Sequence, residues 1–162
     1  MPTTDATTTV CIDQSQILDW AWALLSAAPD VRIKVARGRE YPKLDPGSEQ
    51  VAIVWLESVS VQQSNPGKGR EDGTFNLSIS ADIGEPATHT NAMEFISTWV
   101  ARRIFTRSAC TGNQHLSIRA VSYSSVPHQV EGNNPKIRSA QMTFTLEVGA
   151  TPSAGFDDKL VA

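Results

Sequence analysis

The chain is short of most residues that carry recognisable chemistry. Its 162 residues include two cysteines, Cys11 and Cys110. They lie far apart and form no C-x-x-C pair, which excludes a disulfide-built scaffold and a closed zinc site and leaves two reduced thiols. Aromatic residues make up 7% and charged residues 19%. The net charge of −3 lacks the basic excess of a dedicated nucleic-acid binder. The longest apolar run, Val51 to Leu56, is far too short to span a bilayer. Residues 1–10 have neither the basic segment nor the apolar core of an export signal, so synthesis in the cytoplasm is expected.

The familiar catalytic signatures are missing as well. Gly67-Lys68-Gly69-Arg70-Glu71-Asp72-Gly73 lacks the order of a phosphate loop and leads into a strand pattern, not a helix. His89, His115 and His128 have no paired metal-ligand spacing. Glu71-Asp72 and Asp157-Asp158 lack the alternating oxygen ligands of a calcium loop and read as solvated turn charges. No G-x-S-x-G elbow occurs. The sequon at Asn76 falls inside a strand pattern and has no export signal to accompany it. The reading is therefore of a protein that is not an enzyme, with no catalytic, cofactor-binding or metal-binding residues and no cofactor.

What the chain does have is hydrophobic periodicity. Between Gly73 and Asp82, Phe75, Leu77, Ile79 and Ala81 alternate with Asn76, Ser78, Ser80 and Asp82, which predicts a strand with one apolar and one wet face. After Gly84-Glu85-Pro86, the residues Ala92, Phe95, Ile96, Trp99, Val100 and Ile104 predict one face of a helix from about Thr90 to Arg107. An earlier helix starts at Asp13 or Ser15 and ends at Pro29, with Ile17, Ala21, Leu24, Leu25 and Ala28 facing inward. Trp20 and Trp22 flank that face and read as core or rim packing.

Val31, Ile33 and Val35 predict a short strand with a basic outer side, followed by a turn-rich loop from Gly38 to Gln50. A strand from Val51 to Gln63, a turn-dense connection from Ser64 to Gly73 and the strand after it predict a long hairpin with a mobile tip. Leu116–Tyr123 and Ile137–Val148, joined through 126–136, repeat that plan, with Ala140, Met142, Phe144, Leu146 and Val148 facing inward. The expected class is α+β: a mostly antiparallel sheet of four to five strands, two helices packed on one face, and long protruding hairpins. A flexible arm over 1–12, one domain over 13–149 and a flexible tail over 150–162 complete the plan.

Basic residues gather in two places. Arg102, Arg103 and Arg107 suit the negative end of the second helix. Lys68 and Arg70 in the hairpin connection are freer to meet a partner or a phosphate. Candidate partner contacts are Ser64, Asn65, Lys68 and Arg70 in the first hairpin, and His128, Asn133 and Asn134 in the second.

In this order of elements the chain resembles the tail terminator, or tail completion, proteins of long-tailed bacteriophages. The likeness runs from about Gln14 to Val148 and is carried by the segments QILDWAWALLSAAP, VAIVWLESVSVQQS, GTFNLSISADIG, AMEFISTWVARRIF, LSIRAVSYSS and KIRSAQMTFTLEV. The resemblance implies a virion protein that closes the head-proximal end of a tail tube as a ring, usually a homohexamer. It further implies tail-tube and head-completion or neck proteins as partners, transient contact with DNA in the lumen, and no membrane contact. Two alternatives stay open: a tail-tube or head-tail connector subunit, or a small α+β enzyme or binding module whose pocket only the fold assembles.

Overall fold

The computed structural model describes residues 12–38, 40, 42–67, 69–84, 92–105, 116–128 and 137–151. Two helices, α1 (Gln14–Ser26) and α2 (Ala92–Ile104), accompany five strands: β1 (Ile33–Arg37), β2 (Ala52–Gly67), β3 (Arg70–Gly84), β4 (Leu116–His128) and β5 (Ile137–Ala150). The strands form one sheet in the order β1-β2-β3-β5-β4. Only β1 and β2 run parallel; every other neighbouring pair is antiparallel. Both helices lie against one face of the sheet and touch each other. The fold is therefore α+β, as the two periodicities predict.

The core fills the layer between helices and sheet. Ile17, Ala21 and Leu25 of α1, with Ile96, Val100 and Ile104 of α2, cover the inward row Phe75, Leu77, Ile79, Ala81 and Ile83 of β3 and the row Met142, Phe144, Leu146 and Val148 of β5. Fully burying one such side chain is worth about 1.5–3 kcal/mol, so these rows dominate the stability of the fold. Trp20 is 3% exposed and belongs to the core, and Trp22 packs half-buried at its margin.

Asp13 caps α1 by accepting from the Ser15 amide at 2.9 Å, which satisfies one of the four amides a helix start leaves open. At the far end of the two helices, the Arg103 guanidinium donates to the Ala28 carbonyl at 2.5 Å and lies over the Trp99 ring at 4.1 Å. The residue thus joins the ends of the two helices, a structural use of a basic last turn. Arg107 lies outside the described residues.

Some side chains expected inside lie outside. Ala28 is exposed because α1 has already ended at Ser26. Val31 is 70% exposed, since residues 31 and 32 form a turn and β1 begins only at Ile33. Phe95 is 47% exposed and packs beneath Arg32, 5.1 Å from its ring centre, while Ala101 takes a place in the core.

The turn before β1 is set by Asp30. Its carboxylate accepts from the Arg32 amide at 2.9 Å and from the Arg32 guanidinium at 2.7 and 3.0 Å. The side-chain hydrogen bonds from Arg32, with that of its amide, lower the Asp30 pKa to about 2. A carboxyl group that ionises more readily folded than unfolded stabilises the fold above its unfolded pKa, and that stabilisation disappears as the pH falls through the folded value. Stability should therefore decline between about pH 4 and pH 2, by less than about 1 kcal/mol because the pair faces solvent. Asp30→Asn should flatten that part of an acid denaturation curve, and an unchanged slope would refute the assignment.

Candidate functional site

The face of the sheet away from the helices is mostly polar, apart from Ile53 and Trp55 of β2, and its polar residues are organised. A bulge between Leu56 and Ser58 inserts Glu57 into β2 and aims it onto this face. Its carboxylate accepts from the Ser78 hydroxyl at 3.0 Å, from the Ser80 hydroxyl, and from the Gln141 amide at 3.0 Å; Gln141 also donates to the Ser78 hydroxyl at 2.9 Å. Three strands are thereby tied together without apolar contact. Charge-assisted bonds of this kind are the stronger class.

Toward the tip of the β2–β3 hairpin the same face opens into a groove of about 470 Å3. Its walls carry two ion pairs, Arg70–Asp72 at 3.0 Å and Arg119–Glu147 at 2.5 Å, and its lining also includes Gln63, Asn65 and Thr74. Gly149 keeps the floor low, since a Cβ there would lie 3.1 Å from the Asp72 carboxylate. Equal numbers of arginines and carboxylates leave the groove without net charge. It is polar and open to solvent, suited to contact with a surface more than to enclosing a small molecule.

The structure divides the sequence-predicted contact residues. Asn65 and Arg70 line the groove. Ser64 does not: it turns to the helix side and donates its hydroxyl to Glu71. Lys68, Asn133 and Asn134 lie outside the described residues. His128 pairs with Ser139 at the other end of the sheet, away from the groove. Among the described candidates, His128 therefore does not share a surface with Asn65 and Arg70.

The strands also outrun their expected ends. β2 and β3 stay paired to Gly67 and Arg70, which leaves only Lys68 and Gly69 to connect them, with Gly69 at φ 72° where glycine is favoured. Alongside them β5 continues to Ala150, opposite Glu71. The hairpin is thus flanked by β5 almost to its tip and does not stand clear of the sheet on that side. β4 likewise continues past Tyr123 to His128 and includes Pro127.

Glu71 corrects the reading of Glu71-Asp72 as solvated turn charges. It is 4% exposed, faces the helix side, and accepts from the Ile12 amide and the Ser64 hydroxyl. Asp72, one residue on, points the opposite way and does face solvent. Among the described residues there is no group of three or more His, Cys, Asp or Glu side chains placed to hold a metal ion. No described helix is long and apolar enough to cross a membrane.

The sheet edges complete the site. β1 ends at Arg37 beside Leu56, so from Ser58 onward β2 has no described neighbour on that side. β4 forms the opposite border along its whole length. Val61, Val121, Tyr123 and Val126 on these two borders are each 44–57% exposed. Free edges offer unpaired backbone amides and carbonyls to another chain. Sequence reasoning could not identify these edges, because they follow from strand order and not from any local pattern.

No protein-family model matches the chain, and no curated protein matches it.

Proposed function

We infer that the protein is a structural subunit that assembles into a closed ring at the head-proximal end of a phage tail tube and there offers the joining surface for head-completion or neck proteins. The observation that supports the ring is the pair of edges, neither with a neighbouring strand among the described residues, on opposite borders of a sheet whose described helices lie on one face. Along the sheet, β2, β3, β5 and β4 alternate in direction, so β4 runs opposite to β2. Rotating a copy about an axis along the strands brings its β2 beside β4 of the first as an antiparallel neighbour, with the same face inward in every copy. Such a head-to-tail contact repeats and closes when the rotation divides a full turn, and closure removes both free edges.

In that arrangement the helices lie outside and the wet face lines the lumen. Ser60, Asn76, Ser78, Thr143 and Thr145 would present hydroxyls and amides to a passing polyelectrolyte, without the arginine and lysine density that would hold it. The tail context comes from the resemblance carried by the segments between Gln14 and Val148; the hexameric ring, the virion location and the tail-tube partner belong to the same proposal. Light scattering across a concentration series, followed by negative-stain imaging with and without tail tubes, tests it. Closed rings, alone or on tube ends, are expected. Long tubes would make this a tube subunit instead, and a strictly monomeric particle that ignores tubes would overturn the ring.

A further inference from the structure

We propose that the seam between neighbouring copies is a ladder of Leu116–Tyr123 in β4 against Val59–Pro66 in β2 of the next copy, closed on the helix side by Tyr123 and Phe105 packing on Val59 and Val61. The seam rests on the ring reading and names its contact residues.

The first support is the placement of exposed apolar side chains. Val61 stands in the inward row, opposite Phe75, yet it is 49% exposed while Phe75 is 1% exposed. On the other border Tyr123 is 44% and Phe105 38% exposed. Tyr123 stacks on buried Phe144 at 5.2 Å, and Phe105 leans on both rings at 5.9 and 6.0 Å. The aromatic pair is thus held in place from beneath and open toward the border. Each border offers apolar surface in the same layer, next to a free backbone edge, so one pairing covers both.

The second support is level. Val61 lies opposite Phe75, Phe75 opposite Leu146, and Leu146 opposite Ala120. Val59 reaches Tyr123 in the same way through Leu77 and Phe144. A rotation about an axis along the strands preserves these rows, so Ala120 meets Val61 and Tyr123 meets Val59 of the next copy. The Tyr123 ring then reaches Val61 on the diagonal, within the range of cross-strand aromatic contacts.

The third support is the bulges. One interrupts β2 between Val61 and Gln63, the other β4 between Ala120 and Ser122, so the two flank the row of Val61 and Ala120. Bulges bend a strand and pin its register. β1 of the next copy blocks the β2 border up to Leu56, whose level reaches Ser125 of β4 through Ile79 and Met142, so the seam stops short of Ser125.

The test uses Val61→Cys and Ala120→Cys in a chain whose Cys11 and Cys110 are changed to Ser. Under mild oxidation the double variant should move most of the protein from the monomer band into a ladder that stops at the ring size. An equal mixture of the two single variants should stop at covalent dimers, and either single variant alone should not cross-link. Replacing Ala120→Cys by Val126→Cys should abolish the ladder. Rings seen by light scattering without these cross-links would overturn the seam and leave the ring standing, as would a stronger ladder from Val59→Cys with Ala120→Cys. Absence of rings from the unmodified chain, both alone and with tail tubes, would overturn both.

Discussion

Phe144→Ala is expected to lower the unfolding free energy by about 3–5 kcal/mol, the range for deleting a buried aromatic side chain. The cost has two parts. The transfer free energy of the ring is lost, and a cavity remains because the surrounding rows cannot collapse into it. Phe144 is fully buried in β5 between Leu77 of β3 and Tyr123 of β4, and α2 lies above it. Sheet hydrogen bonds hold its neighbours on both sides, so relaxation is limited. Phe144→Leu should cost less, about 1–3 kcal/mol, because most of the volume stays filled. Urea unfolding of both variants measures the difference; an alanine variant less than about 1 kcal/mol below the parent would mean that the centre of the core is elsewhere.

The same substitution separates stability from assembly. Tyr123 keeps its place at the border because Phe144 supports it, with the two rings 18° from parallel. With Phe144 removed, Tyr123 should settle into the space and leave Val61 of the next copy uncovered. The leucine variant, still folded, should then raise the concentration needed for ring formation. In the proposed seam a core residue would thus act only through the aromatic it supports.

Most of the layer structure was legible because the rows obey strict periods. Phe75, Leu77, Ile79 and Ala81, and Ala140 through Val148, alternate without interruption, and each residue expected inside is inside. Where the pattern was broken by turn-forming residues, the reading stopped early. Ser64, Asn65, Pro66 and Gly67 read as a loop but lie in a strand, because proline and glycine are tolerated where one side of the strand is unpaired. Pro127 at the border of β4 follows the same rule. The sequence signal for a turn and that for an edge strand overlap, and only the partner strand separates them.

The candidate site was less legible because its parts come from distant segments. Glu57 meets Ser78, Ser80 and Gln141 across three strands, and no local spacing announces that meeting. Arg119 and Glu147 form their pair 28 residues apart. Turn composition and charge drew attention to Asn65 and Arg70, which line the groove, while Ser64 turns to the helix side because its facing depends on the register of β2 with β3. Glu71 escaped for a related reason. An acidic residue beside Asp72 and two glycines reads as surface, and only the strand's alternation turns it inward.

Glu71→Ala is the substitution expected to affect the hairpin end most. The carboxylate is the acceptor for the Ile12 amide, just before α1, and for the Ser64 hydroxyl on β2. Two segments far apart in sequence are therefore fixed to one buried side chain. A hydrogen bond to a charged acceptor contributes about 1.5–3 kcal/mol, and a buried donor left without its acceptor costs about 1–3 kcal/mol. Against this stands the relief of no longer burying a carboxylate, so local opening of the segment before α1 should become easier by about 2–3 kcal/mol. Glu71→Gln should not restore the parent, since an amide offers one oxygen where two donors wait and turns its own donor toward one of them. Hydrogen exchange gives the direct measurement: the Ile12 amide should lose its protection in Glu71→Ala, while amides at the centre of β3 and β5 slow exchange nearly as in the parent. If Ile12 stayed protected, the anchor would not be Glu71. If protection fell equally throughout the sheet, the residue would serve global stability and not the local attachment of the chain before α1 to the hairpin end.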